Sequence, residues 1–176
     1  MGKIHWIGTG LSSVPGLRRL LKQTEDICVW NRSLDKAQSL VGDLTKNIRV
    51  FNLENLQKGL LESDIVVSML PGEWHVQIAK LCIDHSAHFV SSSYISEEME
   101  SLHGGALKKN LSLVNEVGLD PGIDHLMSHY LVHDYKNSVS YDPDNEIEFL
   151  SYCGGIPKLP NKFCYKFSWS PTGVLK

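Results

Sequence analysis

A chain of 176 residues has room for one complete domain and the start of another. With 42% hydrophobic and 21% charged residues it has the composition of a folding globular protein, which excludes a disordered one. A net charge of -3 gives no basic field for nucleic acid or an anionic membrane surface, so a small-molecule ligand is the expected partner.

In chain order, short apolar runs alternate with amphipathic segments. This predicts an α/β fold, a doubly wound Rossmann-type parallel sheet with helices on both faces. Lys3 to Gly8 reads as the first strand, and Val14 to Gln23 as a helix with Leu17, Leu20 and Leu21 on its inner face. Asp26 to Trp30 is the second strand, followed by a helix from Leu34 to about Leu44 that Ser33 caps. Arg49 to Phe51 is a weaker third strand. Asp64 to Leu70 is the fourth, apolar almost throughout, as burial on both faces requires. Trp74 to Ile83 is helical, His88 to Ser91 is the fifth strand, Glu97 to Asn110 one helix and Ser112 to Asn115 the sixth strand. Beyond Glu116 a turn-rich VGLDPG leads into a helix from Ile123 to Tyr135, and Ile147 to Cys153 reads as a strand of a different region. The expected organisation is a nucleotide-binding domain over 1–120. Over 121–176 follow a connecting helix and the start of an incomplete second, substrate domain.

No apolar run approaches the ~18 residues of a membrane span, and a cytoplasmic location is expected. Cys28, Cys82, Cys153 and Cys164 lack both CxxC pairing and zinc-site spacing, so they read as reduced thiols, Cys28 and Cys82 being buried small hydrophobes. His125 and His129 share a helix face but have no third ligand, so no metal is expected.

The segment Gly8-Thr9-Gly10-Leu11-Ser12-Ser13-Val14-Pro15 lies between the first strand and first helix, where a nucleotide pyrophosphate meets a helix N-terminus. Gly8 permits the tight turn and Gly10 lets the backbone approach phosphate oxygens. Ser13 occupies the third fingerprint position in place of Gly, and Pro15 suits the first helical turn. Where NAD enzymes place Asp or Glu after the second strand, this chain has Asn31, Arg32 and Ser33. Asn31 does not repel a ribose 2′-phosphate and Arg32 offers it a fork of donors, which points to NADP(H).

Four further stretches, Ser93 to Ser96, Asn115 to Leu126, Ser151 to Pro157 and Tyr165 to Pro171, resemble the saccharopine reductase family, the NADP-dependent, glutamate-forming saccharopine dehydrogenases. The resemblance covers essentially the whole chain. The glycine loop fits it, since the family's loop runs to a proline as here to Pro15, although Ser12 stands where an apolar residue is expected. The resemblance implies an oxidoreductase of lysine metabolism, in which NADPH reduces the imine of glutamate and 2-aminoadipate 6-semialdehyde to saccharopine.

It also implies roles for particular residues. Thr9, Gly10, Leu11 and Ser12 would line the pyrophosphate, and Asn31, Arg32 and Ser33 would hold the adenosine phosphate. Leu70 and Ser92 would border the nicotinamide, with Leu119, Asp120, Pro121 and Ser170 also at the cofactor. Ser93, Tyr94 and Asp120 would touch substrate, and Cys153 would lie near the reaction centre. Asp120 is a candidate to stabilise an iminium cation, and Tyr94 to orient the substrate or relay a proton. Each has a plainer alternative: Asp120-Pro121-Gly122 as an ordinary turn, Tyr94 as a packed aromatic.

Saccharopine carries three carboxylates, which enzymes grip with Arg or Lys forks. Yet Arg18, Arg19, Arg32 and Arg49 are the only arginines, all in the nucleotide-binding half. Members of the family continue well past this length. The chain is therefore expected to be an amino-terminal piece that binds NADP(H) but turns over saccharopine poorly or not at all. Apolar residues around Phe163 to Val174 would favour self-association, for instance as a homodimer. Two other readings stay open: an NADP(H)-binding module without catalysis, and an imine reductase for another amino-acid conjugate.

Overall fold

The computed structural model describes residues 2–24, 26–152, 154 and 157–166. Its six strands are β1 (Ile4–Ile7), β2 (Ile27–Asn31), β3 (Ile48–Val50), β4 (Ile65–Ser68), β5 (His88–Ser91) and β6 (Leu113–Val114). They form one sheet in the order β3-β2-β1-β4-β5-β6, and every pairing is parallel. That is the doubly wound arrangement expected from the alternating pattern, with the chain reversing direction across the sheet between β1 and β4. The helices are α1 (Val14–Leu21), α2 (Leu34–Val41), α3 (Leu53–Gly59), α4 (His75–Asp84), α5 (Glu97–Glu100), α6 (His103–Lys108) and α7 (Ile123–Lys136).

Successive strand residues point to opposite faces, and β2 shows the result. Ile27 and Val29 pack with Leu17 and Leu21 of α1 and Val41 of α2 on one side. Cys28 and Trp30 pack on the other side with Ile7, Val66 and Phe89, beneath Leu56 of α3, Ile78 and Cys82 of α4 and Met99 of α5. Fully burying one such aliphatic side chain contributes about 1.5–3 kcal/mol, so two cores of this kind fix the strand register firmly.

Local signals account for the helix ends. Ser33 Oγ accepts from the Lys36 N–H at 3.3 Å, as expected of a cap, and Asn52 Oδ1 accepts from the Asn55 N–H at 2.7 Å at the start of α3. The sequence pattern did not predict α3. The single helix expected from Glu97 to Asn110 is two, α5 and α6, parted at Ser101 and Leu102.

The chain divides into two compact units, Met1–His125 and Leu126–Lys176. Among the described residues of the second, the strand expected over Ile147 to Cys153 is not formed from Ile147 to Tyr152, and Cys153 lies outside the described residues. A strand needs a neighbour to take its backbone hydrogen bonds. The order of that unit comes instead from contacts such as Tyr135 against Tyr141, edge to face at 5.5 Å, and Asn145 Nδ2 donating to Tyr135 Oη at 2.8 Å.

A polar chain runs through the first unit's core. Trp30 Nε1 donates to His5 Nδ1 at 3.0 Å, which leaves Nε2 of the neutral ring to donate to Asp64 Oδ2 at 2.9 Å. Asp64 also accepts the N–H groups of Lys3 and Leu61 at 2.7 and 2.9 Å. Burial pushes the His5 imidazole below its ordinary value, outweighing the carboxylate of Asp64, and burial does the same to His75. A histidine whose folded pKa is depressed contributes stability that is whole above the unfolded value of ~6.5 and is lost as pH falls through the folded one. The thermal midpoint should therefore stay level from pH 8 to about 7 and fall on acidification toward pH 5, well before carboxylates titrate. A midpoint that rises over that interval would contradict the neutral Trp30–His5–Asp64 chain.

Candidate functional site

Because all six strands run the same way, their carboxyl ends share one edge of the sheet, where α/β folds bind ligands. Gly8 follows β1 with φ +99, and a β-carbon there would stand 3.0 Å from the Met69 carbonyl oxygen just past β4. The first two turns of the site are thus pressed together, and only glycine fits between them. Gly10 differs: a β-carbon would find nothing nearer than Ser13 Oγ at 4.0 Å. No atom of the described residues requires glycine at that position, which leaves open room above the loop.

Ser13, expected only as a small packing residue, is buried and closes the loop from beneath. Its hydroxyl donates to the Gly10 carbonyl at 3.0 Å and lies 3.3 Å from that of Gly8. Pro15 sits in the first turn of α1. Thr9 is only 3% exposed, and its hydroxyl has no partner among the described residues. An unmade buried hydrogen bond is costly, so this orphaned hydroxyl marks a place for a polar ligand atom or water. Leu11 projects outward, 99% exposed, with Ser12 exposed beside it.

At the end of β2, Asn31 Nδ2 donates to the Ser33 carbonyl at 2.8 Å, holding the carboxamide where a carboxylate would otherwise stand. Arg32 is exposed, and among the described residues its guanidinium makes no hydrogen bond or ion pair. Two other arginines are engaged: Arg18 forms a paired bridge to Asp43 at 2.7 Å, and Arg49 lies 5.5 Å over the Trp30 ring. Past β4, the Leu70 carbonyl accepts from His75 Nε2 at 3.0 Å, which fixes the half-buried Leu70 beside Gly8.

The loops after β5 and β6 complete the edge. Ser92 packs under Gly118, and the Tyr94 hydroxyl donates to Asp120 Oδ1 at 2.9 Å across 26 residues of sequence. Tyr94 is thus no packed aromatic. That hydrogen bond, together with the negative charge of Asp120, holds its phenol above the ordinary tyrosine range. Ser93, Leu119 and Pro121 flank the pair in sequence, and the Asp120–Pro121 peptide is cis. Asp124 accepts the Gly122 N–H at 2.7 Å at the entry to α7. Cys153 and Ser170 lie outside the described residues. Cys82 is a buried thiol pushed up to about 12 by desolvation, and burial raises Cys28 also, so neither offers a thiolate near neutral pH.

Two contacts here were not anticipated from the sequence. Ser91 Oγ donates to Asn115 Oδ1 at 3.0 Å, and Glu116 hydrogen-bonds the loop that carries Tyr94. Both belong to the Asn115-Glu116 pair ahead of VGLDPG, and their position in that motif was the only available signal.

Comparison with known proteins decides the family. Residues 4–114 match the model of the saccharopine dehydrogenase NADP binding domain, and residues 118–176 that of the saccharopine dehydrogenase C-terminal domain. The chain belongs to the saccharopine dehydrogenase family. A saccharopine dehydrogenase [NADP(+), L-glutamate-forming] of Schizosaccharomyces pombe is 33% identical over 99% of the chain and 40% of its own length. The mitochondrial alpha-aminoadipic semialdehyde synthase of Rattus norvegicus is 35% identical over 98% of the chain and 19% of its own length. The solved apo saccharopine dehydrogenase (L-Glu forming) of Saccharomyces cerevisiae aligns with a TM-score of 0.71 at 27% identity, over 99% of this chain and 40% of that one. The chain thus spans about two fifths of the length of these fungal relatives. No helix among the described residues is long and apolar enough to cross a membrane.

The residues present fit the dinucleotide that the family's first domain is named for. Among the described residues, the open space above Gly10, the orphaned Thr9 hydroxyl and the unengaged fork of Arg32 suit phosphate oxygens.

Proposed function

We propose that this chain is the cofactor-binding part of an NADP(H)-dependent saccharopine reductase, acting on the C–N bond between glutamate and 2-aminoadipate 6-semialdehyde. The observation that carries the reading is the Tyr94–Asp120 hydrogen bond, set at the same sheet edge as the glycine loop and Arg32. A carboxylate and a phenol held together next to a nicotinamide site are what reduction of a protonated imine asks of a protein.

In this assignment Gly8, Thr9, Gly10, Leu11 and Ser12 cradle the pyrophosphate, with Thr9 Oγ1 finding its missing partner there. Asn31, Arg32 and Ser33 receive the adenosine 2′-phosphate, while Leu70, Ser92, Leu119 and Pro121 border the nicotinamide. NADPH held by these residues would supply the hydride for reduction of the C=N bond to the C–N bond of saccharopine. Asp120 offsets the positive charge of the iminium nitrogen before transfer, and Tyr94 keeps its proton and orients the substrate as a donor. Ser93 adds a neighbouring hydroxyl on the substrate side. Cys153 and Ser170 are assigned to this site on sequence alone. Family membership by itself assigns no compartment, as the mitochondrial rat relative illustrates.

A second reading, an NADP(H)-binding module without turnover of its own, is favoured by the arginines. Arg18 is tied to Asp43 and Arg49 lies over Trp30, so neither is placed to clamp a substrate carboxylate. Titration calorimetry with NADPH, followed by a saccharopine-dependent absorbance assay at about 340 nm, tests both. The expected result is clear NADPH binding with little or no saccharopine oxidation by the 176-residue chain. Robust steady-state turnover removes the module reading, and absence of NADPH binding removes both.

A further inference from the structure

Tyr94 is 65% exposed, so packing does not hold it, yet its hydroxyl meets Asp120 at hydrogen-bond distance. A phenol on an exposed loop samples many rotamers unless the backbone beneath it is fixed. The backbone on both sides of Tyr94 is gripped by one residue. The Glu116 N–H donates to the Ser93 carbonyl at 3.1 Å, and the Glu116 carboxylate accepts from the Ile95 N–H at 3.1 Å. These bonds bracket Tyr94, one on the peptide before it and one on the peptide after it.

The backbone of Glu116 is adapted to the task. It has φ +60, a left-handed conformation rare for a residue with a long side chain, and it aims the carboxylate back across the β5 loop. Next to it, the Val117 N–H donates to the Ser91 carbonyl at 3.3 Å, and Ser91 Oγ donates to Asn115 Oδ1 at 3.0 Å. The loops after β5 and β6 are thereby stitched into one ledge, with Tyr94 leaving from one side and Asp120 from the other.

We propose that Glu116 is a positioning residue for the proposed reduction, which clamps the Tyr94 backbone from both sides so that its hydroxyl stays on Asp120. The inference rests on the function proposed above, in which Tyr94 and Asp120 face the substrate. Glu116 itself touches neither substrate nor cofactor. Its carboxylate works here as a hydrogen-bond acceptor, and its charge is secondary. A glutamine amide oxygen can take the same Ile95 N–H, whereas a residue without an acceptor cannot.

The test reads Tyr94 directly. Tyr94 is one of six tyrosines, and its titration is isolated as the difference in absorbance near ~295 nm between the wild-type chain and Tyr94→Phe as pH is raised. In the wild type this difference should appear at higher pH than for an ordinary tyrosine, and Asp120→Ala should remove most of that upward displacement. Glu116→Gly, which accepts the positive φ without strain and so retains the fold by circular dichroism, should lose the displacement as fully as Asp120→Ala does. Glu116→Gln should restore it. The proposal is overturned if Glu116→Gly keeps the wild-type titration. It is equally overturned if Glu116→Gln loses as much as Glu116→Gly, because charge and not position would then be at work, or if wild-type Tyr94 titrates as an ordinary tyrosine does. These measurements involve neither substrate nor cofactor, so failure to bind NADPH would strike the proposed function and leave their outcome to be read separately.

Discussion

Replacement of Arg32 by alanine is expected to weaken NADPH binding by roughly 10- to 150-fold and to leave NADH binding within about twofold. The range follows from about 1.5–3 kcal/mol for hydrogen bonds between a guanidinium and a doubly charged phosphate, at ~1.4 kcal/mol per tenfold. Arg32 is suited to the role because nothing else among the described residues engages its fork, unlike Arg18 and Arg49. Asn31→Asp makes the complementary case. A carboxylate at the end of β2 repels the 2′-phosphate and accepts from a free ribose hydroxyl, so the variant should lose NADPH affinity and gain NADH affinity. Calorimetric titration of both cofactors at fixed ionic strength measures each effect, since exposed charges are screened by salt. Equal losses for the two cofactors in Arg32→Ala would remove this residue from phosphate recognition and, with it, the basis for NADP(H) preference.

What was legible in the sequence follows physical range. Strands buried on both faces are continuous apolar runs, so Asp64 to Leu70 announced β4, and the alternation of such runs with amphipathic segments implied a parallel sheet. The glycine loop and the Asn31-Arg32-Ser33 end of β2 were legible because position relative to a strand gives them meaning. Short-range weakness explains the misses. The seven residues of α3 bury only Leu56 and end in Gly59, too little periodicity to reveal a helix although Asn52 caps it. The alternation of Ile147 and Phe149 imitates a strand, but among the described residues no strand pairs with Ile147 to Tyr152. Contacts between distant residues were hidden altogether. Trp30, His5 and Asp64 are linked across 25 and 59 positions, and nothing local shows that a buried histidine will find both partners. Tyr94 and Asp120 were separately legible through family motifs, whereas their hydrogen bond and the Glu116 bracket required the fold.

The two loop glycines should respond to alanine in opposite ways, as their different parts in the fingerprint imply. Gly8 serves the chain itself. Its φ of +99 is strained for any L-residue, and the added carbon would press to 3.0 Å from a backbone oxygen that cannot swing aside. Gly8→Ala should therefore cost more than ~1 kcal/mol of stability with no ligand present, visible as a lower urea midpoint. Gly10 meets no such constraint among the described residues, where the nearest atom to its absent β-carbon is 4.0 Å away. Gly10→Ala should leave the urea midpoint within about 0.5 kcal/mol of the parent, as surface substitutions do. Its NADPH affinity should nevertheless fall at least about tenfold, because the new methyl occupies space that a phosphate needs against the backbone. If Gly10→Ala binds NADPH as the parent does, the space above the loop is not where the pyrophosphate lies. The assignments of Thr9, Leu11 and Ser12 would then fall together.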